Sequence, residues 1–145
     1  MTTANVYLNF NGNCRDAFKF YQEAFGGEFQ DVSPFADMPP QEGMPPIADE
    51  DKDKLMHISL PLSENSVLMG CDMIDGFGPP HQPGNNFAIS LGPSTKEEAD
   101  KIFKSLSHEG EVTMPMEDTF WGSYFGSLTD KFGISRMINV DMQGA

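Results

Sequence analysis

The sequence predicts an α+β fold built from two tandem modules, each with the element order βαβββ. Three observations support this: segments with alternating apolar residues, two amphipathic helices with start and stop signals, and the same order of elements in both halves. The modules are expected at about residues 5–72 and 86–141 of a single domain spanning 1–145. The repeat is degenerate, with "VYLNF" corresponding to "FAISL" and "SVLMGCD" to "SRMINVD".

The first module begins with a predicted strand, because "VYLNF" alternates apolar and polar residues. Asn13 is the expected N-cap of the helix that follows, and Gly26 and Gly27 are expected to end it. Residues 30–54 contain proline pairs and many charges, which predicts a long loop. Two further strands are predicted at "MHISLPL" and "SVLMGCD".

The second module repeats this pattern, starting with a predicted strand at "NFAISL". The next helix has a capping box, formed by Ser94 or Thr95 with the glutamate three residues later. The aromatic run at residues 120–133 is expected to form a strand with half of its rings in the core, as strand alternation requires. Asp130 to Gly133 is expected to make a hairpin turn before a last strand at "SRMINV".

Charge and composition exclude several classes of partner. The 145 residues include 22 acidic and 9 basic side chains, for a net charge of −13, which repels nucleic-acid phosphates and anionic lipids. We therefore expect no nucleic-acid or membrane partner. The sequence has no apolar run near the ~20 residues of a membrane span, and its start lacks a secretory signal. A cytoplasmic location is expected, with Cys14 and Cys71 as buried reduced thiols.

Two long motifs resemble a known family. "YLNFNGNCRDAFKFYQEAFGGE" and "FWGSYFGSLTDKFGISRMIN" are similar to the PhnB-like branch of the vicinal oxygen chelate superfamily, which includes glyoxalases, bleomycin-resistance proteins and extradiol dioxygenases. The resemblance implies a curved mixed sheet around a cleft, and a homodimer. The branch also carries a 3-demethylubiquinone-9 3-methyltransferase label, but the sequence has no glycine-rich turn from strand to helix that would hold a nucleotide-like methyl donor.

The resemblance also implies where a divalent metal would bind. Superfamily enzymes hold the metal with His, Gln and Glu side chains from the first and last strands of each module. Those positions fall at about Asn5 and Asn86 in the first strands, and at about Leu68 and Met137 in the last strands. None of these side chains offers imidazole, thiolate or carboxylate. We therefore expect the usual metal site to be missing, and we expect no cofactor.

The remaining candidates are residues for binding a small molecule. Aromatic rings offer stacking surfaces and the polar side chains offer hydrogen bonds. Trp121 and one of Tyr124 or Phe125 are expected to reach the cleft. An anionic ligand is disfavoured by the overall charge, although a local basic group such as Arg136 could override this effect. The expected ligand-binding residues are Asn5, Tyr7, His57, Asn86, Ser90, Trp121, Tyr124, Phe125 and Met137.

The leading hypothesis is therefore a metal-independent small-molecule-binding protein that acts as a homodimer. One alternative is a lyase, isomerase or dioxygenase-type enzyme that uses an atypical metal site or His57 as general base. His57 is equally consistent with a satisfied histidine at the edge of the core, and His81 with a solvated loop residue. A third alternative is a structural or regulatory protein whose cleft is filled by its own side chains.

Overall fold

The structure, a computed structural model, describes residues 2–40 and 42–142. Met1, Gln41 and residues 143–145 lie outside the described residues, as do both outer limits of the expected domain. The chain divides between Gln82 and Pro83 into two compact units.

The first unit is a four-stranded mixed sheet with one α-helix. Its elements are β1 (Val6–Phe10), α1 (Cys14–Phe25), β2 (Gln30–Pro34), β3 (Leu55–Ser63) and β4 (Ser66–Asp72), with single 3₁₀ turns at Phe35–Asp37 and Asp49–Asp51. The strand order is β1-β4-β3-β2. β1 runs parallel to β4, and the other two pairs are antiparallel.

The second unit repeats this topology. Its elements are β5 (Ile89–Leu91), α2 (Lys96–Ser107), β6 (Glu111–Asp118), β7 (Ser123–Thr129) and β8 (Ser135–Asp141). The strand order is β5-β8-β7-β6, again with one parallel pair at the start. The predicted α+β fold with two βαβββ modules is therefore confirmed.

In the first unit α1 packs against one side of the sheet. Leu8 and Phe10 are buried there, and the rings of Phe10 and Phe18 meet edge to face with centroids 6.1 Å apart. A side chain at Gly70 would have no room, because an added Cβ would lie 2.7 Å from Phe18 Cε1 and 2.9 Å from Leu8 O. Gly70 therefore faces α1 and lets the helix come close to the sheet.

In the second unit α2 packs in the same way. A Cβ at Gly126 of β7 would lie 3.0 Å from a ring carbon of Phe103, so Gly126 faces this helix. The rest of this core includes aliphatic side chains of β5, α2, β7 and β8, namely Ile89, Leu91, Ala99, Ile102, Leu106, Leu128, Ile138 and Val140.

The two helices differ in how they begin. Thr95 Oγ1 accepts a hydrogen bond from Glu98 N, and Glu98 Oε2 accepts one from Ser94 N, so the predicted capping box is confirmed. Asn13 occupies the cap of α1, but its side chain makes no capping hydrogen bond. Each helix has 12 residues, and none in the described ranges is long and apolar enough to cross a bilayer.

Two strand predictions are wrong, one because a strand was missed and one because a strand begins later than predicted. β2 lies within residues 30–54, which the sequence assigns to a loop. This edge strand is mostly exposed, so it needs none of the apolar alternation by which strands are detected. β5 begins only at Ile89, which leaves Phe87 61% exposed instead of on the buried face.

The aromatic run is only partly a strand. β6 ends at Asp118 and β7 begins at Ser123, so Phe120 and Trp121 lie in the hairpin turn between them. Gly122 has a φ of 90°, which suits a tight turn and favours glycine. Strand alternation would place half of these rings in the core, but Phe120 is 97% exposed, and Trp121, which is expected outside the core, is 52% exposed.

Candidate functional site

The first unit carries a cluster of polar side chains on the side of its sheet opposite α1. Gly70 faces α1, and side chains alternate along a strand, so its neighbours Met69 and Cys71 point away from the helix. Tyr7 and Asn9 of β1 lie opposite Met69 and Cys71, so they point to the same side. Ser59 of β3 also lies opposite Met69, and His57, two residues earlier on β3, therefore points to this side as well. We define the polar face by Tyr7, Asn9, His57, Met69 and Cys71.

Hydrogen bonds connect these side chains in a row. Tyr7 Oη lies 3.3 Å from His57 Nδ1, and the centroids of the two rings are 5.7 Å apart. The Tyr7 hydroxyl also interacts with the Cys71 thiol. Cys71 Sγ in turn donates to Asn9 Oδ1 at 3.3 Å. The polar face thus presents an imidazole, a phenol, a thiol and an amide in sequence.

Burial keeps this row uncharged at its centre. Partial burial, assisted by the neighbouring Cys71, raises the pKa of Tyr7 to about 12. Burial also raises the pKa of the Cys71 thiol, against the opposing effect of its hydrogen bond with Tyr7. Both groups therefore keep their protons at neutral pH and donate hydrogen bonds, and Cys71 lacks the depressed pKa of a nucleophilic cysteine.

The expectation of two buried thiols is half right. Cys14 is 0% exposed, as expected, but Cys71 is only half-buried. The two thiols differ because Cys71 lies on the polar face, whereas Cys14 is buried at the start of α1.

We expect Cys71 to react slowly with iodoacetamide at pH 8 although it is accessible, because the thiolate is the reacting form and its pKa is raised. Mass spectrometry of the alkylated protein over a pH series, with glutathione as reference thiol, measures this. The rate for Cys71 should climb at higher pH than that for glutathione, and Cys71→Ser should remove the modified peptide. Alkylation faster than glutathione at pH 8 would contradict the assignment.

His81 belongs to the same region, although the sequence suggested a solvated loop residue. It is partly buried, and its Nε2 lies 3.2 Å from the main-chain oxygen of Asn9. A carbonyl oxygen only accepts, so His81 Nε2 carries the hydrogen and donates it. This bond attaches the segment after β4 to the end of β1.

The structure therefore extends the predicted set in the first unit. It brings Tyr7 and His57 together, as the alternation of their strands indicated. Asn5 is exposed and lies one residue before β1. The residues absent from the prediction are Asn9, Met69, Cys71 and His81. Asn9 follows from the same alternation as Tyr7, whereas the others depend on contacts distant in sequence.

In the second unit Ser90 and Met137 pair in register on the side of the sheet opposite α2. Met137 is 37% exposed. Asn86 is exposed and lies three residues before β5. These residues give this side of the sheet a mixed polar and apolar surface.

The three predicted aromatic residues point to two different sides. Tyr124 faces α2, because its hydroxyl donates to Asp100 Oδ1 at 2.6 Å. This hydrogen bond is the main reason that the pKa of Tyr124 is raised to about 12. Phe125, the next residue of β7, points to the opposite side, where its ring centroid lies 6.2 Å from that of Trp121. Phe120, Trp121 and Phe125 are called the aromatic group below.

Arg136 is not available to an anionic ligand, so that expectation is wrong. Its side chain is 0% exposed, and its Nε lies 3.5 Å from Oδ2 of Asp130, which is also fully buried. Arg136 lies on the α2 side of β8, where it pairs with Ile89 of β5. Its charge is directed at the β7–β8 turn and not at a ligand.

Sequence comparison identifies the family. The family model of the Glyoxalase/Bleomycin resistance protein/Dioxygenase superfamily matches residues 4–138. The chain belongs to this superfamily. Protein YjdN of Escherichia coli (strain K12) is 31% identical over 142 residues, covering 94% of each chain.

Solved structures of the superfamily agree with this assignment. Protein PA1353 from Pseudomonas aeruginosa has 37% identity and a TM-score of 0.83, with 97% of this chain and 98% of that chain covered. A PhnB protein from Bacillus cereus, described as a putative 3-demethylubiquinone-9 3-methyltransferase, has 21% identity and a TM-score of 0.72, with 96% and 99% covered. At that identity the likeness concerns the fold alone.

The structure corrects one metal-ligand position inferred from the superfamily. Leu68, the position inferred from the sequence, is 1% exposed and lies on the α1 side, whereas Met137 pairs with Ser90 on the side opposite α2. The residues of β4 that point away from the helix in the first unit are Met69, opposite Tyr7, and Cys71, opposite Asn9. The alignment of "SVLMGCD" with "SRMINVD" therefore matches residues that lie on opposite sides of their sheets.

The corrected positions do not fit a divalent metal. They offer the thioethers of Met69 and Met137, the amides of Asn5 and Asn86 and a single thiol, Cys71, whose pKa is raised by burial, whereas zinc and similar ions prefer several imidazole, thiolate or carboxylate ligands. Asp72, the nearest carboxylate in the sequence of β4, accepts hydrogen bonds from two backbone N–H groups instead. In residues 2–40 and 42–142 no group of three or more His, Cys, Asp or Glu could hold a metal.

Proposed function

We propose that this member of the superfamily is a metal-independent small-molecule-binding protein that acts as a homodimer. The observation that most directly supports small-molecule binding is the polar face of the first unit. There, the row of His57, Tyr7, Cys71 and Asn9 offers hydrogen-bond donors and acceptors beside the positions where the superfamily's metal ligands would lie.

The chemistry of this row suits recognition of an organic molecule. Tyr7 and Cys71 stay protonated, and His57 can accept or donate according to its tautomer. Ligand sites typically combine an apolar lining with a few placed polar groups, and Met69 supplies an adaptable apolar side chain in the same face. The ligand is therefore a planar or partly apolar molecule with at least one hydrogen-bonding group.

The second unit offers surfaces of the same kind. Ser90 and Met137 place a hydroxyl beside a thioether, and Trp121 with Phe125 provides aromatic stacking area. Asn5 and Asn86 are exposed amides at the starts of the first strands, where they remain candidate contacts. Tyr124 is the weakest of the proposed contacts, since its hydroxyl already binds Asp100.

Metal content is the first measurement for this proposal. Untagged protein purified without chelators should contain substoichiometric zinc, nickel, manganese and iron by mass spectrometry, and adding these ions should not raise its melting temperature. Stoichiometric metal would overturn the metal-independent assignment. A rise in melting temperature would do so as well, because an ion that binds the native state raises stability by mass action.

A ligand panel then tests the polar face. Indole, benzamide and quinoline derivatives serve as probes in a thermal-shift screen, with calorimetry on compounds that stabilise the protein. His57→Gln and Tyr7→Phe should weaken binding about tenfold, the equivalent of losing one or two hydrogen bonds. His108→Gln is the matched control, because His108 is an exposed histidine with 68% of its side chain accessible. Equal effects of both histidine variants would exclude the polar face.

The contact between Tyr7 and His57 also favours a second candidate, an enzyme with His57 as general base. Compounds that bind can be incubated with the protein and followed by mass spectrometry. Conversion by the wild type that is lost in His57→Gln, with an unchanged melting temperature, would support this reading.

Light scattering separately tests the homodimer, for which twice the chain mass is expected.

A further inference from the structure

We propose that the aromatic group at the β6–β7 hairpin, together with Glu117, binds an organic cation of the quaternary or tertiary ammonium type. This inference rests on the proposed function, since it names a class of ligand for a small-molecule-binding protein. It concerns the second unit alone, and its site is built from four residues, Glu117, Phe120, Trp121 and Phe125.

The rings are arranged as walls at an angle to one another. Phe120 and Trp121 are nearly perpendicular, with an interplanar angle of 89° and centroids 5.0 Å apart. Trp121 and Phe125 are inclined by 63° at 6.2 Å. Phe120 is 97% and Trp121 52% exposed, so their faces are accessible from solvent. The faces of aromatic rings carry partial negative charge and attract cations.

A carboxylate lies next to these rings. Glu117 of β6 pairs in register with Phe125 of β7. Directly opposed residues of antiparallel strands place their side chains on the same face with Cβ atoms about 5 Å apart. Glu117 is exposed and therefore adds a negative charge beside Phe125. The net charge of −13 adds a long-range attraction for cations.

The neighbouring pair of the same two strands already holds an ammonium in this way. Asp118 pairs with Tyr124, and their side chains lie on the α2 side. There, Lys96 Nζ lies 2.9 Å from Asp118 Oδ1 and 4.8 Å from the centre of the Tyr124 ring. The Glu117–Phe125 pair repeats the combination of carboxylate and ring on the opposite side, with Trp121 and Phe120 as additional walls. At this second pair the ammonium group comes from the ligand.

Trp121 is the single tryptophan of the sequence, so its fluorescence reports on the site directly. The probe is choline, and the neutral isostere 3,3-dimethylbutan-1-ol has the same shape without the charge. Choline should change the Trp121 emission along a saturable curve, and the neutral alcohol should bind about tenfold more weakly or not at all. Binding should weaken when ionic strength rises, because salt screens exposed charges.

Two variants of equal charge change test the role of the carboxylate. Glu117→Gln should weaken choline binding several-fold, whereas Asp118→Asn, on the other side of the same strand, should leave it unchanged. Calorimetry extends the test to Trp121→Leu and Phe120→Ala, which should lose most of the binding heat. Phe120 is almost fully exposed, so Phe120→Ala should keep the wild-type circular dichroism spectrum.

Four outcomes would overturn the inference, and the last of them leaves the proposed function standing. One is an equal response to choline and to the neutral alcohol, and another is equal weakening by Glu117→Gln and Asp118→Asn. The third is a Trp121 emission that changes with protein concentration alone, which would show that a second copy covers the rings. Neutral planar probes that bind in a His57-dependent manner while choline does not would refute the cation and leave the proposed function standing.

Discussion

Replacing Arg136 by leucine is expected to lower the free energy of unfolding by about 3–5 kcal/mol, the cost of removing one partner of a buried ion pair. The side chains of Arg136 and Asp130 are both 0% exposed, and Nε and Nη2 of the guanidinium lie 3.5 Å from Asp130 Oδ2. Without the arginine, the buried Asp130 carboxyl group loses the guanidinium charge that lies beside it. Urea unfolding followed by circular dichroism measures the loss.

A double variant separates the charge effect from loss of packing. Asp130 Oδ1 accepts hydrogen bonds from the N–H groups of Phe132 and Ile134, and an asparagine oxygen can keep both. Arg136→Leu with Asp130→Asn should therefore recover part of the loss. Lys52→Met, which removes an exposed pair with Asp49, should change the stability little, because solvent screens such a pair. An Arg136→Leu variant as stable as Lys52→Met would contradict the account.

The sequence predicts the elements whose pattern is local. Strand β1 alternates residue by residue, and the structure buries Leu8 and Phe10 while it exposes Tyr7 and Asn9. The cap of α2 is complete within five residues, from Ser94 to Glu98, so its two hydrogen bonds can be predicted from the sequence. The turn after Asp130 is local as well, with Gly133 at a φ of 85°.

Features that depend on strand register are predicted less well. Side chains alternate with a period of two, so a shift of one residue moves a side chain to the opposite face. Aligning the last strands of the modules by sequence selects Leu68, whereas the pairing with β1 places Leu68 on the α1 side and Met69 and Cys71 on the polar face. The same effect decides that Tyr124 faces α2 and Phe125 the other side. The sequence restricts the choice to one of these two rings but does not decide between them.

The candidate site shows the same limit. Tyr7 and His57 can be predicted because each lies on the polar side of a recognisable strand. Cys71 is opposite Asn9, 62 residues earlier in the chain, and His81 reaches the main chain of Asn9 over 72 residues. These contacts depend on the parallel pairing of β1 with β4 and on the path of the segment that follows, and no local pattern encodes them.

The start of α1 provides the clearest case of a distant contact in place of a local one. Sequence analysis selects Asn13 as the cap, but its side chain makes no capping hydrogen bond. The carboxylate of Asp72, at the end of β4, accepts from Cys14 N through Oδ1 and from Leu55 N through Oδ2, both at 2.9 Å. Asp72 is 3% exposed, and it therefore ties α1, β3 and β4 together at one point.

We expect Asp72→Ala to destabilise the protein by about 3–5 kcal/mol, since it leaves two buried backbone donors without an acceptor at about 1–3 kcal/mol each. Asp72→Asn should cost less, because the amide oxygen keeps one of the two bonds while its NH₂ group faces the other N–H. Urea unfolding gives the free energies, and hydrogen exchange at Cys14 and Leu55 should accelerate in Asp72→Ala.

The control for this prediction is Asp75→Ala, which removes an exposed carboxylate three residues along the chain and should change stability by no more than about 0.5 kcal/mol. An Asp72→Ala variant as stable as this control would mean that water or another group replaces the carboxylate. A graded loss, with alanine worse than asparagine and both worse than the control, would show that the two oxygens act separately. The start of α1 would then depend on the strand at whose end Asp72 lies.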